Sequence, residues 1–222
     1  MKALYDDWVD AVKSLNKKQN AGPRLFSQYA GQIQLISSFF AQPPQSLNLL
    51  EFGMGWGFWS RMAQASGYQV SGLELASDRA AHARLMGLEV LEQLPEPGPH
   101  FHFVYANQVF EHLTDPLDTL RQLRHCLTSD GVIYLRVPDG RSVAKQLKTS
   151  GWSPELDAIH PLEHINCFTR NSLRELGSRA GLRLVQAPVR LSWGSLWGGV
   201  KREISDRYFT THMFFKIDRK GG

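Results

Sequence analysis

The sequence predicts an α/β chain, with a mostly parallel sheet of seven strands and helices on both faces. Three observations lead there. Strand and helix patterns alternate from residue 47 to residue 137, and such alternation buries a parallel sheet between layers of helices. Directly after the first strand, Glu51-Phe-Gly-Met-Gly-Trp-Gly57 sets glycines at alternate positions, as where a strand runs through a bare loop into a helix. A helix pattern at 169–181 and strand patterns at 182–189 and 212–217 then close the chain.

The elements follow in order. Residues 1–20 suggest a short amphipathic helix with Trp8, Val12 and Leu15 on one side, broken by Gly22-Pro23. Leu25, Tyr29, Ile33, Ile36 and Phe40 recur at helical spacing, so 24–41 reads as a second helix closed by Pro43-Pro44. The core reads as strand 47–52, helix 57–66, strand 69–74, helix 77–86, strand 88–91, strand 101–106, helix 115–127 and strand 131–137. Asp115-Pro116 is a helix start, an N-cap followed by proline at the first helical position. Thr128-Ser-Asp-Gly131 reads as a turn. Residues 138–168 show no clear period, and Thr169 caps the next helix.

The glycine loop carries the chemistry. Glycines at 53, 55 and 57 let a ligand lie against bare backbone, and the following helix aims free N–H groups at it. A dinucleotide loop has its third Gly or Ala three places after the second. Here that place is Phe58, and the third glycine comes one residue early. Glu51, two residues before the first glycine, suits a ligand bearing an ammonium or sulfonium group better than a pyrophosphate. Glu74 ends the second strand about 20 residues downstream, where this architecture sets a carboxylate on ribose hydroxyls.

The E-x-G-x-G-x-G order resembles the first motif of class I S-adenosylmethionine (SAM)-dependent methyltransferases. The stretches Val109-Phe-Glu-His-Leu-Thr-Asp-Pro116 and Gly131-Val-Ile-Tyr-Leu-Arg-Val-Pro138 are similar to that family's later motifs, especially in its ubiquinone-biosynthesis-like, methyltransferase type 23 branch. The resemblance covers 47–140 and the helix-then-strand ending. It implies a Rossmann-like methyltransferase fold with an antiparallel last strand, SAM as cofactor, and one domain over 1–222. Within it, 1–45 would form a helical lid, 46–140 the cofactor core, 141–168 an acceptor-side segment and 169–222 the C-terminal helix and strands. Glu51, Phe52, Gly53, Gly55, Gly57, Glu74 and Leu75 would bind the cofactor, with Asn107 and Gln108 flanking its methionine part. The third strand lacks a well-marked acid beside the adenine, where Glu92 is a weak substitute, and His102 stands where an Asp is common.

Methyl transfer from a sulfonium needs two reactants held in line, which agrees with a chain lacking G-x-S-x-G, H-E-x-x-H and C-x-x-C. A hydroxyl acceptor also needs a base. Glu111, His112 and His164 are the candidates, beyond the carboxyl ends of the strands. Glu111 is either that base or a carboxylate favoured by a helix start, and His112 is either a base or a structural imidazole. His160 and His164 have a spacing that could suggest a metal, but Pro161 interrupts a helix through both and no third ligand is evident nearby. A loop with His164 and Asn166 facing the acceptor is the expectation, with no metal. The expected activity is methylation, on oxygen, of a small-molecule or glycan-like acceptor. A non-catalytic SAM-fold scaffold and a dinucleotide-dependent oxidoreductase are the rivals.

Composition narrows the setting. With 42% hydrophobic and 21% charged residues in 222, the chain can bury one sizeable core. No run of about 18 apolar residues occurs, and acids stand where a secretory signal would need an apolar stretch. Two cysteines in this setting read as reduced thiols, so the chain is expected in the cytoplasm. The net charge of +4 comes from scattered residues such as Lys17-Lys18, read as solvated surface rather than a nucleic-acid stripe. Trp56 could cap the cofactor pocket or simply pack. Trp193, Trp197, Tyr208, Phe209, Phe214 and Phe215 could line the core, an acceptor cleft, a homodimer face or a membrane contact.

Overall fold

In the computed structural model, residues 10–149, 151, 158–160, 163–187 and 211–218 are described. Trp8, Pro161, Trp193, Trp197, Tyr208, Phe209 and the end of the expected strand 182–189 lie outside them. Seven strands form one sheet: β1 (Asn48–Phe52), β2 (Gln69–Leu73), β3 (Glu89–Leu91), β4 (Phe101–Asn107), β5 (Leu127–Arg136), β6 (Leu182–Val185) and β7 (His212–Ile217). Their spatial order is β3-β2-β1-β4-β5-β7-β6. Neighbours from β3 to β5 pair in parallel, and β7 runs antiparallel between β5 and β6. The order reverses at β1 and β4, and in open α/β sheets ligands bind at that reversal, beyond the carboxyl ends.

Helices α1 (Ala11–Gln19), α2 (Pro23–Ile36), α3 (Phe58–Ala65), α4 (Ser77–Leu85), α5 (Pro116–His125), α6 (Val143–Gln146) and α7 (Arg170–Arg179) fill the connections. None is long and apolar enough to cross a membrane. Local chemistry explains their ends. Asp10 caps α1 by accepting from Lys13 N at 2.9 Å, Asp115 caps α5 from Asp118 N at 2.8 Å, and Thr169 caps α7 from Ser172 N at 3.2 Å.

Two boundaries differ from the sequence reading. The second helix stops at Ile36 rather than 41, because the Ser37 and Ser38 hydroxyls bond back to Gln34 O and Leu35 O and compete with the helical ladder. The expected helix end at 127 and turn at 128–131 are also wrong, since β5 begins at Leu127. Leu127 pairs with Phe101 across a register shift, and that non-local pairing overrides the turn chemistry of Thr128 to Gly131.

Strand alternation divides the core into two layers. On one face, Leu49, Phe103, Tyr105, Val132 and Tyr134 pack against Tyr29, Ile33 and Ile36 of α2 and Trp59 and Ala63 of α3. Here Trp59 stacks on Tyr105 with centroids 4.1 Å apart and planes 5° apart, and Tyr105 on Tyr134 at 5.3 Å and 9°. On the other face, Leu50, Val104, Ile133, Leu135, Met213 and Phe215 pack against Leu120 and Leu123 of α5 and Leu173 and Leu176 of α7. Of the C-terminal aromatics, Phe215 is fully buried and Phe214 packs against Phe39 at 5.1 Å, so both belong to the core.

Gly177 of α7 sits directly on the Phe215 ring, and a Cβ there would come within 2.7 Å of Cδ1. Gly177→Ala should therefore cost about 1–3 kcal/mol by overpacking. The melting temperature should fall by roughly 2–4 °C per kcal/mol, read by thermal denaturation; an unchanged melt would mean that α7 moves off β7 freely.

Candidate functional site

The loop after β1 closes onto β2 through backbone bonds, Gly53 N and Met54 N both donating to Leu73 O, at 2.9 and 3.0 Å. All three loop glycines have positive φ, at 76°, 55° and 78°, a region that only glycine enters without cost. Their surroundings differ. A Cβ on Gly53 would press on Val109, and one on Gly57 would press on Leu88 at 2.7 Å and Ala83 at 3.2 Å. Gly57 thus brings the start of α3 close to α4 and the turn that leads into β3, much as a later glycine does for helix–strand packing in the dinucleotide motif. A Cβ on Gly55 would meet nothing within 4 Å, so this glycine faces open space.

Glu74 holds the loop. Its Oε2 accepts from Gly55 N at 2.7 Å and its Oε1 from Ala76 N at 2.9 Å. Carboxylate oxygens have further lone pairs, so Glu74 can serve both the loop and a ribose. Leu75 beside it is 45% exposed. Phe52 turns inward onto Phe110, centroids 6.4 Å apart, leaving only its backbone to face a ligand. Glu92 lies at the surface, paired with Arg84 at 3.6 Å. His102 Nδ1 accepts from Asn48 N at 3.1 Å and joins two strands.

Glu51 is buried, and its Oε2 accepts from both Ser60 N at 3.0 Å and Ser60 Oγ at 2.6 Å. Burial pushes its carboxyl up to about 8, against the pull of the Ser60 hydrogen bonds and Lys18. Lys18, expected as solvated surface, is instead partly buried and donates to Tyr29 OH at 3.3 Å. Burial lowers its pKa, and the same cause raises Tyr29 to about 12. Trp56 donates to Ser14 Oγ at 3.1 Å and meets His82 edge-on at 5.4 Å. It therefore fastens α1 over the glycine loop, while Val12 of α1 stays 70% exposed.

Beyond β4, Asn107 has a buried Oδ1 without a hydrogen-bond partner among the described residues. Gln108 is held at φ 58°, its N donating to Arg136 O at 2.8 Å. A non-glycine residue there costs about 1–3 kcal/mol, and such strain clusters at functional sites. A single turn, Phe110–His112, follows. Glu111 is fully buried, and neither carboxylate oxygen finds a hydrogen-bond partner among the described residues. Burial raises it to about 7, offset only in part by its own backbone N–H, which lies near the carboxylate but outside hydrogen-bond geometry, and by Arg136. His112 Nε2 lies 3.9 Å from Glu111 Oε1, and His112 Nδ1 lies 2.7 Å from Glu163 O.

His164 meets the His112 ring edge-on at 4.9 Å. The fold thus brings to His164 the partners that its sequence neighbourhood lacks: the ligand atoms of Glu111, His112 and His164 lie within 4.8 Å of one another and could hold a metal ion. His160 stands apart from that group, bridged to His164 and 3.8 Å from Glu163. Asn166 does not face the acceptor side as expected. Its Nδ2 donates to Phe110 O at 3.3 Å and Leu113 O at 2.6 Å, pinning the loop that carries Glu111. Ser60 and Arg136 were missed from sequence. Arg136 was legible as the one charge in the run Val132–Val137.

Comparison with known proteins agrees with this layout. The family model of the methyltransferase domain matches residues 24–187. The chain belongs to this family. Methyltransferases of the family draw the methyl group from SAM, and residues 24–187 are a SAM-dependent methyltransferase domain. The ubiquinone biosynthesis O-methyltransferase of Ruegeria pomeroyi is 33% identical over 101 residues, 41% of this chain and 41% of that protein. The protein of the same name from Ruegeria sp. is 31% identical over 116 residues, 48% of this chain and 47% of the relative. The matched stretch thus spans less than half of either relative. Among solved structures, the plantazolicin methyltransferase BpumL in complex with a monoazolic desmethylPZN analog and S-adenosylhomocysteine (SAH) superposes with a TM-score of 0.66 at 14% identity, covering 98% of this chain and 93% of that one. A methyltransferase in complex with the Haloferax volcanii Trm112 activator gives 0.62 at 15% identity, covering 96% and 97%. At these identities the likeness is one of fold.

The buried carboxyls set a pH dependence. Between their ordinary value of 4.5 and the folded values of about 8 for Glu51 and about 7 for Glu111, the folded chain keeps protons that the unfolded chain releases. Stability therefore falls as pH rises through that window. The lowered His112 and His212 act in the opposite sense, since their unfolded forms release protons around 6.5, so a fall from pH 6.5 to 8 belongs to the carboxyls. Denaturant titrations should show it, and Glu51→Gln should flatten it; a Glu51→Gln slope equal to wild type would remove Glu51 as its source.

Proposed function

We propose that the whole chain transfers a methyl group from SAM to a hydroxyl of a small-molecule or glycan-like acceptor, as a single domain in the cytoplasm. Glu51, the loop from Phe52 to Gly57, Glu74, Leu75, Asn107 and Gln108 hold the cofactor, and α1 and α2 act as its lid. The observation that carries the reading is the group Glu111, His112 and His164 beyond β4, where the methyl-bearing end of the cofactor would lie. The names of the Ruegeria relatives, both O-methyltransferases, support oxygen as the target.

In this scheme the acceptor oxygen attacks the methyl carbon, the carbon–sulfur bond breaks with its electron pair passing to sulfur, and a base takes the hydroxyl proton. Glu163 O fixes the His112 proton on Nδ1, which leaves Nε2 as the acceptor. Burial lowers the His112 pKa, keeping that lone pair available at neutral pH. His164 is the second candidate, and Glu111, raised to about 7, can take the proton onward.

Turnover is read as SAH released from SAM with a panel of phenols and sugars. His112→Ala or His164→Ala should lower it by about 100- to 10,000-fold, the usual loss of a general base, with SAH affinity unchanged. Wild-type rates in both variants across pH would contradict histidine base catalysis.

A further inference from the structure

Arg136 is a cation on the acceptor side whose only part in the methyl transfer is its pull on Glu111. It ends β5, level with Asn107 of β4 and His212 of β7. Alternation along the strands puts all three on the face that carries Tyr105, Tyr134 and Phe214 beneath α2. The ion pairs among the described residues join Arg84 to Glu92, His112 to Glu111, Arg141 to Asp139 and His160 to Glu163. Arg136 has no ion-pair partner there: Asp139, the acid nearest in sequence, is taken by Arg141 at 2.6 Å.

The groups that feel the Arg136 charge are Tyr29, Tyr105, Glu111 and His212. Burial first, and Arg136 second, lower His212 to about 4, so this corner carries one positive charge rather than two. Beneath it the core is closed by buried rings, with Tyr105 stacked on Tyr134 and His212 edge-on to Tyr134 at 6.3 Å. A partly buried guanidinium with no carboxylate in ion-pair contact among the described residues is stabilised when an anion joins it. Its planar fork matches a two-oxygen anion.

We propose that Arg136 binds a compact oxyanion, a carboxylate or phosphate, carried on the acceptor. This narrows the acceptor class and rests on the methyl-transfer reading above. The oxyanion anchors the acceptor at the end of β5, while its hydroxyl reaches toward the Glu111, His112 and His164 group at the end of β4.

The test is calorimetry on the full chain saturated with SAH, titrated with benzoate, phenyl phosphate and benzyl alcohol. Benzoate or phenyl phosphate should bind at least about tenfold tighter than benzyl alcohol, a margin of about 1.4 kcal/mol, and the tighter of the two identifies the oxyanion. Arg136→Met should abolish that preference and leave SAH affinity unchanged. Arg136→Lys, which keeps the charge but loses the fork, should weaken the anion severalfold. No preference in wild type, an undiminished preference in either variant, or SAH affinity lost in Arg136→Met would overturn the proposal; the last would assign Arg136 to the cofactor carboxylate. A wild-type chain that binds no SAH would instead overturn the methyl-transfer reading.

Discussion

The hydrogen bond from Gly55 N–H to the Glu74 carboxylate is the contact on which the site depends. It ties the loop after β1 to the end of β2, and the two bonds onto Leu73 O lay the loop flat along that strand. The left-handed conformations that result exclude side chains at three positions. They leave Gly55 facing open space while Gly53 and Gly57 touch Val109, Leu88 and Ala83. One glycine thus provides room for a ligand, and the other two allow the close approach of neighbouring elements that creates that room.

Charge is arranged around this loop with unusual economy. Glu51 and Glu111 are buried with raised pKa values, and burial holds His112 and His212 toward their neutral forms. The carboxyl ends of β1, β4 and β5 therefore carry groups poised to change protonation or to accept a charged partner. Perturbed titration gathered in one place is a mark of functional sites. The polar groups lie at the carboxyl ends of the strands, and the stacked Trp59, Tyr105 and Tyr134 fill the layer beside them.

The strands and the glycine loop were legible in the sequence because period and turn chemistry are local. Thr169 and Asp115 marked their helix starts for the same reason. The early start of β5 was hidden because Leu127 is recruited by Phe101, a partner distant in sequence. The short α2 was hidden because two serine hydroxyls outweigh the apolar pattern that runs on to Phe40. Within the site, the motif that contains Glu111 and His112 could be read, but its meeting with His164 could not, since the fold alone joins those segments. Asn166 shows the converse: a polar residue in an irregular stretch looked ligand-facing, and it satisfies backbone carbonyls of the neighbouring loop instead.

The central claim is that open space over Gly55 is where a SAM-type ligand lies. The most direct measurement is calorimetric titration of the full chain and of Gly55→Val with SAH, with NAD as the comparison. Wild type should give heat with SAH and none with NAD, and Gly55→Val should stay folded and give none with either. Heat with NAD but not SAH, or SAH binding in Gly55→Val equal to wild type, would contradict it.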